Sequence, residues 1–590
     1  MGGLPSVVFF LVLQYASSFN LRSVGGQFRQ LKRISIKSAF DEAPESVQLA
    51  SERDAAAQDE VDYIVVGSGI GGLSAAALLS YYGYTVTVLE SHYLPGGVAH
   101  TFERQGFKFD AGPSLWNGMN KRPYNPLREL LEIVGEGDSV EYAKYDGWMM
   151  HTPDGSFKFE VGKDEAGNDK FLKIIERFGG SQAVQEWLEL ERVLKPVTEL
   201  SGAVPPLCLR NDIGVLLTLL PHFGKLLKGL PVVSTVEGSF KDAAASTIKS
   251  PFLVNWFEFL SFALSGLPAD GTIAAAVAYT MRDLHQKDAH LDYPIGGAAA
   301  VIDALIRGVK KGPGGRLLLN THVDEIVIEN GRAVGVKLRR PTGKFIRARK
   351  AVISNASVWD TTKLLTASPG CTDAVFSAEV AAKKMAIPRT GSFVHLHLGI
   401  DATGLPENLE SHYTVINRWQ PIDSEQNHVI ISIPSTLDPS LAPPGHHVIH
   451  AYAAANEPYE NYESGKFASR EEYQRYKSER CDFLWKAVER SIPDVRSRVK
   501  LALEGSPLTH ERFNRRYKGS FGPALRAGKE KFPFPYDAFK IPGLFLCGDS
   551  VFPGLGVPAV AASGANAASS AVSVWEQLRM LKALDAIREG

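Results

Sequence analysis

Short apolar runs broken by glycine recur along this chain, and their lengths predict which are strands and which are helices. Residues 62–66 (Asp-Tyr-Ile-Val-Val) form an apolar strand, residues 74–82 a helix and residues 85–90 a second, parallel strand. Together they predict one strand, helix, strand unit. Residues 298–310 predict a helix, and residues 316–320 a strand after a Gly-Pro-Gly-Gly break. Residues 325–329 and 333–337 flank Asn330-Gly331, the turn dipeptide of a tight hairpin. Residues 345–349 add a third strand to the hairpin, and 351–356 form a further apolar strand. Residues 393–398 (Phe-Val-His-Leu-His-Leu) and 428–433 alternate as strands of a separate mixed sheet. Close to the end, residues 543–546 predict a short strand and 557–581 one long helix, its first half nearly all Ala, Ser and Gly.

The glycines between these elements carry the candidate chemistry. The first strand runs into Gly67-Ser-Gly69-Ile-Gly71-Gly72, and Glu90 follows eighteen residues after Gly72. Gly67 opens the turn, Gly69 lets backbone approach a pyrophosphate, and Gly72 lets the helix pack on the strand. Helix amides then face the phosphates, and Glu90 is spaced to accept from a ribose hydroxyl. At the other end stands Cys547-Gly548-Asp549-Ser550. Gly548 permits a tight turn, and Asp549 can accept from a polyol such as the ribityl chain of FAD. The helix start at Val557, Pro558 and Ala559 is positive by its dipole, suited to negative charge on a reduced flavin ring. The chain is expected to fold back on itself around FAD.

At 590 residues two or more domains are expected. The formal net charge of −1 argues against nucleic acid as a partner, and no apolar run reaches the roughly 18 to 20 residues of a membrane span. A mixed basic and apolar stretch over residues 210–233 reads as an ordinary buried helix pair or, as the alternative, as a segment lying on a membrane surface. The four cysteines, Cys208, Cys371, Cys481 and Cys547, lack zinc spacing, so free thiols and no metal site are expected. Residues 4–15 have the length of a signal-peptide apolar region, and the stretch to Phe40 is basic and acid-free. The expected organisation is a presequence over 1–40 and a linker over 41–60. A discontinuous FAD-binding domain would take 61–140, 292–370 and 541–590. A substrate domain would take 141–291 and 371–540.

With these motifs in hand, the sequence resembles the carotenoid isomerase (prolycopene isomerase) branch of the phytoene desaturase-like flavoproteins. The resemblance rests on Gly67 to Gly72, Leu94-Pro-Gly-Gly97, Tyr293-Pro-Ile-Gly-Gly297, Ser354-Asn-Ala-Ser357, His395-Leu-His-Leu-Gly-Ile400, Thr509-His-Glu-Arg-Phe513 and the 548–564 segment. It implies an α/β fold with a Rossmann-like FAD domain of the glutathione reductase/amine oxidase type and an inserted mixed α+β domain. It also implies Gly96, Gly97 and Val323 as further cofactor contacts, a hydrophobic carotenoid or xanthophyll substrate, and a plastid setting reached through the bipartite presequence. The stretch after Gly97, Val98-Ala-His100-Thr-Phe102, is more similar to the retinol saturase branch.

The leading expectation is cis–trans isomerisation of a long polyene, with reduced FAD acting without net redox change. A proton version needs an acid near the polyene, for which His100, His510 and Glu511 are candidates by position. Hydration of an acetylenic xanthophyll, or saturation or desaturation of a polyene, would use the same site differently. A prenyl-escort binding protein of similar fold, without flavin, is the rival from another class. No second glycine motif with strand and acid is present, so no tightly bound nicotinamide is expected, and the sequence names no electron donor.

Overall fold

The computed structural model describes residues 60–120, 125–201, 204–229, 233–339, 343–463 and 465–589. The expected presequence, and the linker up to residue 59, lie outside them. Two seven-stranded sheets organise the described chain. In the first, the buried strand Glu60–Val66 has parallel neighbours on both sides, Val86–Leu89 and then Arg316–Leu318 on one, Phe345–Ser354 on the other. The last three residues of Phe345–Ser354 pair with Leu544–Leu546, again in parallel. Its first residues pair antiparallel with Arg332–Leu338, which forms a hairpin with Val323–Glu329. That hairpin turns at Asn330 (φ 49°) and Gly331 (φ 74°), both left-handed as a type I′ turn requires.

Two predicted elements differ in extent. The first helix is Ile70–Tyr81 rather than 74–82, so Gly71 and Gly72 lie inside its first turn. They are there because the helix is pressed against its surroundings: a Cβ on Gly72 would lie 2.2 Å from the Gly67 carbonyl oxygen. A Cβ on Gly564 would lie 2.1 Å from the Gly71 carbonyl, so the carboxy-terminal helix packs on this one backbone to backbone. The predicted long helix 557–581 is two helices, Val557–Ala571 and Val574–Glu589. Between them Ser573 and Glu576 cap each other: Ser573 N donates to Glu576 Oε2 at 2.9 Å, and Glu576 N to Ser573 Oγ at 3.4 Å. This Ser-x-x-Glu box restarts the helix, a signal hidden by unbroken helical propensity on both sides. Residues 345–349 and 351–356, expected as two strands, form one continuous strand, Phe345–Ser354.

The second sheet is mixed and runs Val499–Gly505, Ser392–Asp401, His446–Glu457, His428–Ser432, His412–Ile416, Gly147–Thr152, Gly155–Glu160. Strand alternation gives it two unlike faces. Val394, Leu396 and Leu398 pack with Cys481, Leu484 and Val488 of the helix Arg470–Glu489. The intervening His395 and His397 stand on the opposite face, stacked with His450 and near Tyr452. A further apolar cluster joins Trp148 and Phe159 of this sheet to the helices Leu172–Ser201, Pro251–Ser265 and Ala274–His285. Among the described residues no helix is long and apolar enough to cross a membrane.

Candidate functional site

A cavity of about 1110 Å³ runs between the two sheets, at the upper end of the size range of small-molecule sites. One end is nearly bare backbone. Strand Glu60–Val66 stops at Gly67 (φ 97°), and Gly69 forms an isolated parallel bridge with Gly96. A Cβ on Gly69 would sit 2.7 Å from Asn355 Nδ2. One on Gly71 would sit 2.7 Å from Asn355 Oδ1 and 3.0 Å from the Gly548 nitrogen. The Asn355 amide therefore sits between the two glycine signatures, which meet here although they are far apart in the chain. Glu90 follows the strand Val86–Leu89 and is buried. Its carboxylate accepts from Ser68 N at 2.9 Å, Ser68 Oγ at 2.7 Å and His92 N at 2.8 Å.

Gly67, Gly69, Gly71, Glu90, Gly96, Gly97, Val323, Gly548, Asp549, Val557 and Pro558 all line the cavity. Gly72 and Ala559 do not. Gly72 instead closes the helix onto the turn, a packing role, and Ala559 lies one residue further into the helix that Gly556 caps. Asp549 pairs with Arg516, which also donates to the carbonyls of Ser520 and Phe521 at 2.6 and 2.5 Å. Arg516 and Asn355 both line the cavity. Sequence reasoning did not single out either one. Asn355 stood in a quoted motif, whereas Arg516 lies 33 residues before its partner with no local signal. The arrangement fits a flavin dinucleotide: backbone without side chains where a pyrophosphate would approach, a carboxylate at ribose distance in sequence, and a helix start.

The other end is aromatic and aliphatic, with Trp148, Phe259, Phe262, Leu264 and Leu284 among its walls. His510 and Glu511 line the cavity from the helix Pro507–Asn514. His100 is not among the lining residues; its Nδ1 lies 2.7 Å from the Gly97 carbonyl, and its ring packs near His92 and Phe102. Both Glu511 oxygens are engaged: Tyr459 donates its hydroxyl at 2.6 Å and Lys518 its amide at 3.1 Å. Burial pushes His510 down to about 3, with Arg516 and His100 adding to the effect. Burial likewise takes His100 and His428 to about 4, the Gly97 carbonyl pulling back on His100. These imidazoles are neutral at pH 7.

A parallel sheet entered by a glycine turn, an acid after the second strand, a second glycine motif from the far end of the chain and a mixed sheet roofing the cavity define the FAD-binding amine oxidase type of α/β protein. Residues 70–572 match the family described as flavin containing amine oxidoreductase. The chain belongs to that family, and within it to the carotenoid isomerase-like branch of the phytoene desaturase-like flavoproteins. It is 32% identical over 519 residues to the chloroplastic prolycopene isomerase 2 of an Oncidium hybrid cultivar, covering 86% of this chain and 83% of the relative. It is 28% identical over 555 residues to a neurosporene-forming phytoene desaturase of Cereibacter sphaeroides, covering 88% and 94%. A crystal structure of an oxidoreductase from Methanosarcina mazei shares the fold, with a TM-score of 0.56 at 18% identity, covering 85% of this chain and 98% of that one.

Proposed function

We propose that this protein isomerises a cis double bond of a long carotenoid, with bound FAD in its reduced form and no net redox change. The observation that carries the reading is one cavity joining the glycine-walled end to an aromatic end, with the neutral His510 on its wall. Gly67, Gly69, Gly71, Gly96, Gly97 and Gly548 would hold the pyrophosphate region, Glu90 the ribose, and Asp549 with Val557 and Pro558 the flavin end. The flavin, when bound, supplies an electron-rich partner for a conjugated chain. The protein's own residues do the rest. Trp148, Phe259 and Phe262 grip the apolar polyene and exclude water. His510 holds the mobile proton at a ring nitrogen, where a double bond that accepts it loses its barrier to rotation. Engaged on both oxygens, Glu511 orients the helix that carries His510 rather than exchanging the proton itself.

Hydration of an acetylenic xanthophyll is the second reading, favoured by the same proton-bearing histidine; the likeness to a phytoene desaturase supports desaturation or saturation. Photoreduced protein given poly-cis carotenoids and acetylenic xanthophylls, with mass and chromatographic readout, separates them. Isomerisation changes retention without changing mass, hydration adds one water, and the redox alternatives remove or add two hydrogens. A changed mass as the main product would sink the isomerase reading. A colourless protein that takes up no FAD would sink every flavin reading.

The reading extends to location. Ile213 (66% exposed), Leu220 (65%) and Trp575 (63%), with Leu216, Leu217 and Phe223, leave an unusual amount of apolar surface in water. The short helices Val215–Leu219 and Phe223–Gly229 carry three of them and the turn Leu220–His222 between them a fourth, beside Lys225 and Lys228. That composition suits a lipid interface, where a carotenoid would be found. The chloroplastic relatives, together with the basic amino-terminal stretch, support a plastid.

A further inference from the structure

The histidine-bearing face of the second sheet holds more imidazoles than the reaction proposed above uses. His395 Nδ1 lies 3.0 Å from His450 Nε2, and His395 Nε2 lies 3.2 Å from His510 Nδ1. Both pairs have ring centroids 5.3 Å apart and planes within 22°. Such rings lie edge to edge, each sharing a proton with the next. Asn514 Nδ2 lies 3.0 Å from the same His510 Nδ1, and with that nitrogen accepting, the His510 proton stands on Nε2. That nitrogen and His450 Nδ1 are buried with no partner among the described residues. His397 stacks on His450 at 4.1 Å with planes 11° apart. Of these four rings only His510 lines the cavity, its Nε2 itself being covered until the ring turns toward a substrate.

Burying four imidazoles is costly: a buried polar atom without a partner loses about 1–3 kcal/mol. A valine or leucine at each position would serve packing better, so the chain points to chemistry. A metal ion is the obvious occupant, since ligand atoms of His395, His397 and His450 lie within 4.8 Å of one another. The ring planes argue otherwise. Imidazole lone pairs lie in the ring plane, and a tetrahedral zinc would hold two ligating nitrogens about 3.3–3.4 Å apart, wider than the 3.0 Å between His395 and His450. The stacked His397 cannot aim at the same point as His450 without swinging out of its stack.

We propose that His510, His395 and His450 form a proton relay serving the polyene cavity, with His450 as the store and His510 as the group that meets the substrate. The proposal rests on the polyene reading above. With one proton taken from water, the store is His450 carrying N–H at both nitrogens. The His510 Nε2–H bond breaks as a C–H bond forms with the π pair of a substrate double bond. His395 Nε2–H then passes to His510 Nδ1, and His450 Nε2–H to His395 Nδ1. All three rings end neutral, and the polyene carries the charge. After rotation about the weakened bond the carbon keeps the added proton and gives up its original one to His510 Nε2, and the hops reverse. Burial disfavours the charged chain, which makes a proton held there a strong acid, as a weakly basic double bond requires. The neighbouring His397 adds to the effect of burial, further weakening the hold of His450 on that proton.

The test breaks the middle of the chain, away from cavity and cofactor. Holoprotein and its His395→Gln variant are each given a poly-cis carotenoid in heavy water, and flavin content, isomer ratio and deuterium in the recovered carotenoid are measured. The wild type is expected to isomerise and label its substrate. His395→Gln should keep its flavin while both rates fall about 100-fold, and His395→Gly should regain part of both with added imidazole. Isomerisation without label in the wild type, or undiminished label in His395→Gln, overturns the relay while the polyene reading stands. If the wild type acts on no polyene, that reading fails. Nitrogen-15 spectra of substrate-free holoprotein then decide the relay alone. An Nε2–H His510 whose Nδ1 signal shifts in His395→Gln supports it, and an unchanged signal overturns it. Stoichiometric metal in the purified protein, lost in His397→Gln, also overturns it.

Discussion

The two walls of the cavity are built from opposite materials. The wall at the first sheet is made of residues without side chains, so that a ligand meets backbone at Gly67, Gly69 and Gly548. The second sheet, which backs the other wall, buries side chains that burial disfavours: His395, His397, His412, His428 and His450 are each below a tenth exposed, and His428 among them lines the cavity. A glycine turn is cheap to fold and is shaped by the group it binds. A histidine-lined sheet must be held together by its hydrophobic rear face and helix. The difference predicts where the protein is vulnerable: the first wall to added volume, the second to added charge.

Acid should separate the walls most strongly. Burial holds His397, His412 and His428, on three strands of the second sheet, near 4 against an ordinary value of 6.5. Between those values the unfolded chain binds protons that the folded chain refuses, so stability is present above pH 6.5 and is lost as pH falls toward 4. At full slope each group contributes about 1.4 kcal/mol per pH unit, or roughly 4 kcal/mol per unit for the three together. Thermal unfolding is expected to shift steeply downward between pH 6.5 and 5, with His412→Gln flattening the slope. An unfolding midpoint that stays level across that range would show that the histidines are not buried neutral.

Volume should do to the first wall what acid does to the second. Gly72→Ala places a methyl 2.2 Å from the Gly67 carbonyl oxygen, in rigid backbone on both sides. The turn or the helix must shift, at a cost of about 3 kcal/mol, the upper part of the range for overpacked sites. Flavin content after purification should drop sharply and thermal stability with it, whereas Gly83→Ala, with open space around its Cβ and a left-handed φ of 90°, tests backbone strain alone. Equal flavin loss in both variants would mean that strain, and not close approach, is what glycine supplies in this wall.

The same contrast explains what could be read before any fold was known. Glycine spacing is local and periodic elements flank it, so Gly67 to Gly72, Glu90, the Asn330-Gly331 hairpin and the 548–550 turn were all visible in the residues. The alternation in 393–398 showed that His395 and His397 share a face, but not what they face. His450 and His510 come from a different strand and a helix, and only the register His397 to His450 and the return of Pro507–Asn514 bring them together. Contacts of that kind have no signature in one sequence. The long helix failed for a related reason: helical propensity resumes at once after the Ala-rich half of residues 557–581, and the Ser573–Glu576 cap between the halves outweighs it. Of the three acid candidates, position in the motif was equally good for each, and burial with one unengaged nitrogen distinguishes His510.

A gentler change sharpens the comparison from the first wall's side, because that wall does contain one buried charge. Glu90 accepts from Ser68 N, Ser68 Oγ and His92 N, so its carboxylate is satisfied by neutral donors, with no cationic partner among the described residues. Glu90→Gln keeps the shape, removes the charge and turns an amide NH₂ toward one of those donors. The loss should be near the lower end for a charged hydrogen bond, about 1.5 kcal/mol, or some tenfold in FAD affinity by titration of the apoprotein. The histidine wall is untouched by it, so the acid transition below pH 6.5 should keep its slope. Were the slope to change as well, the two walls would be coupled through the cavity, and the proton store at His450 would sense what the nucleotide end binds.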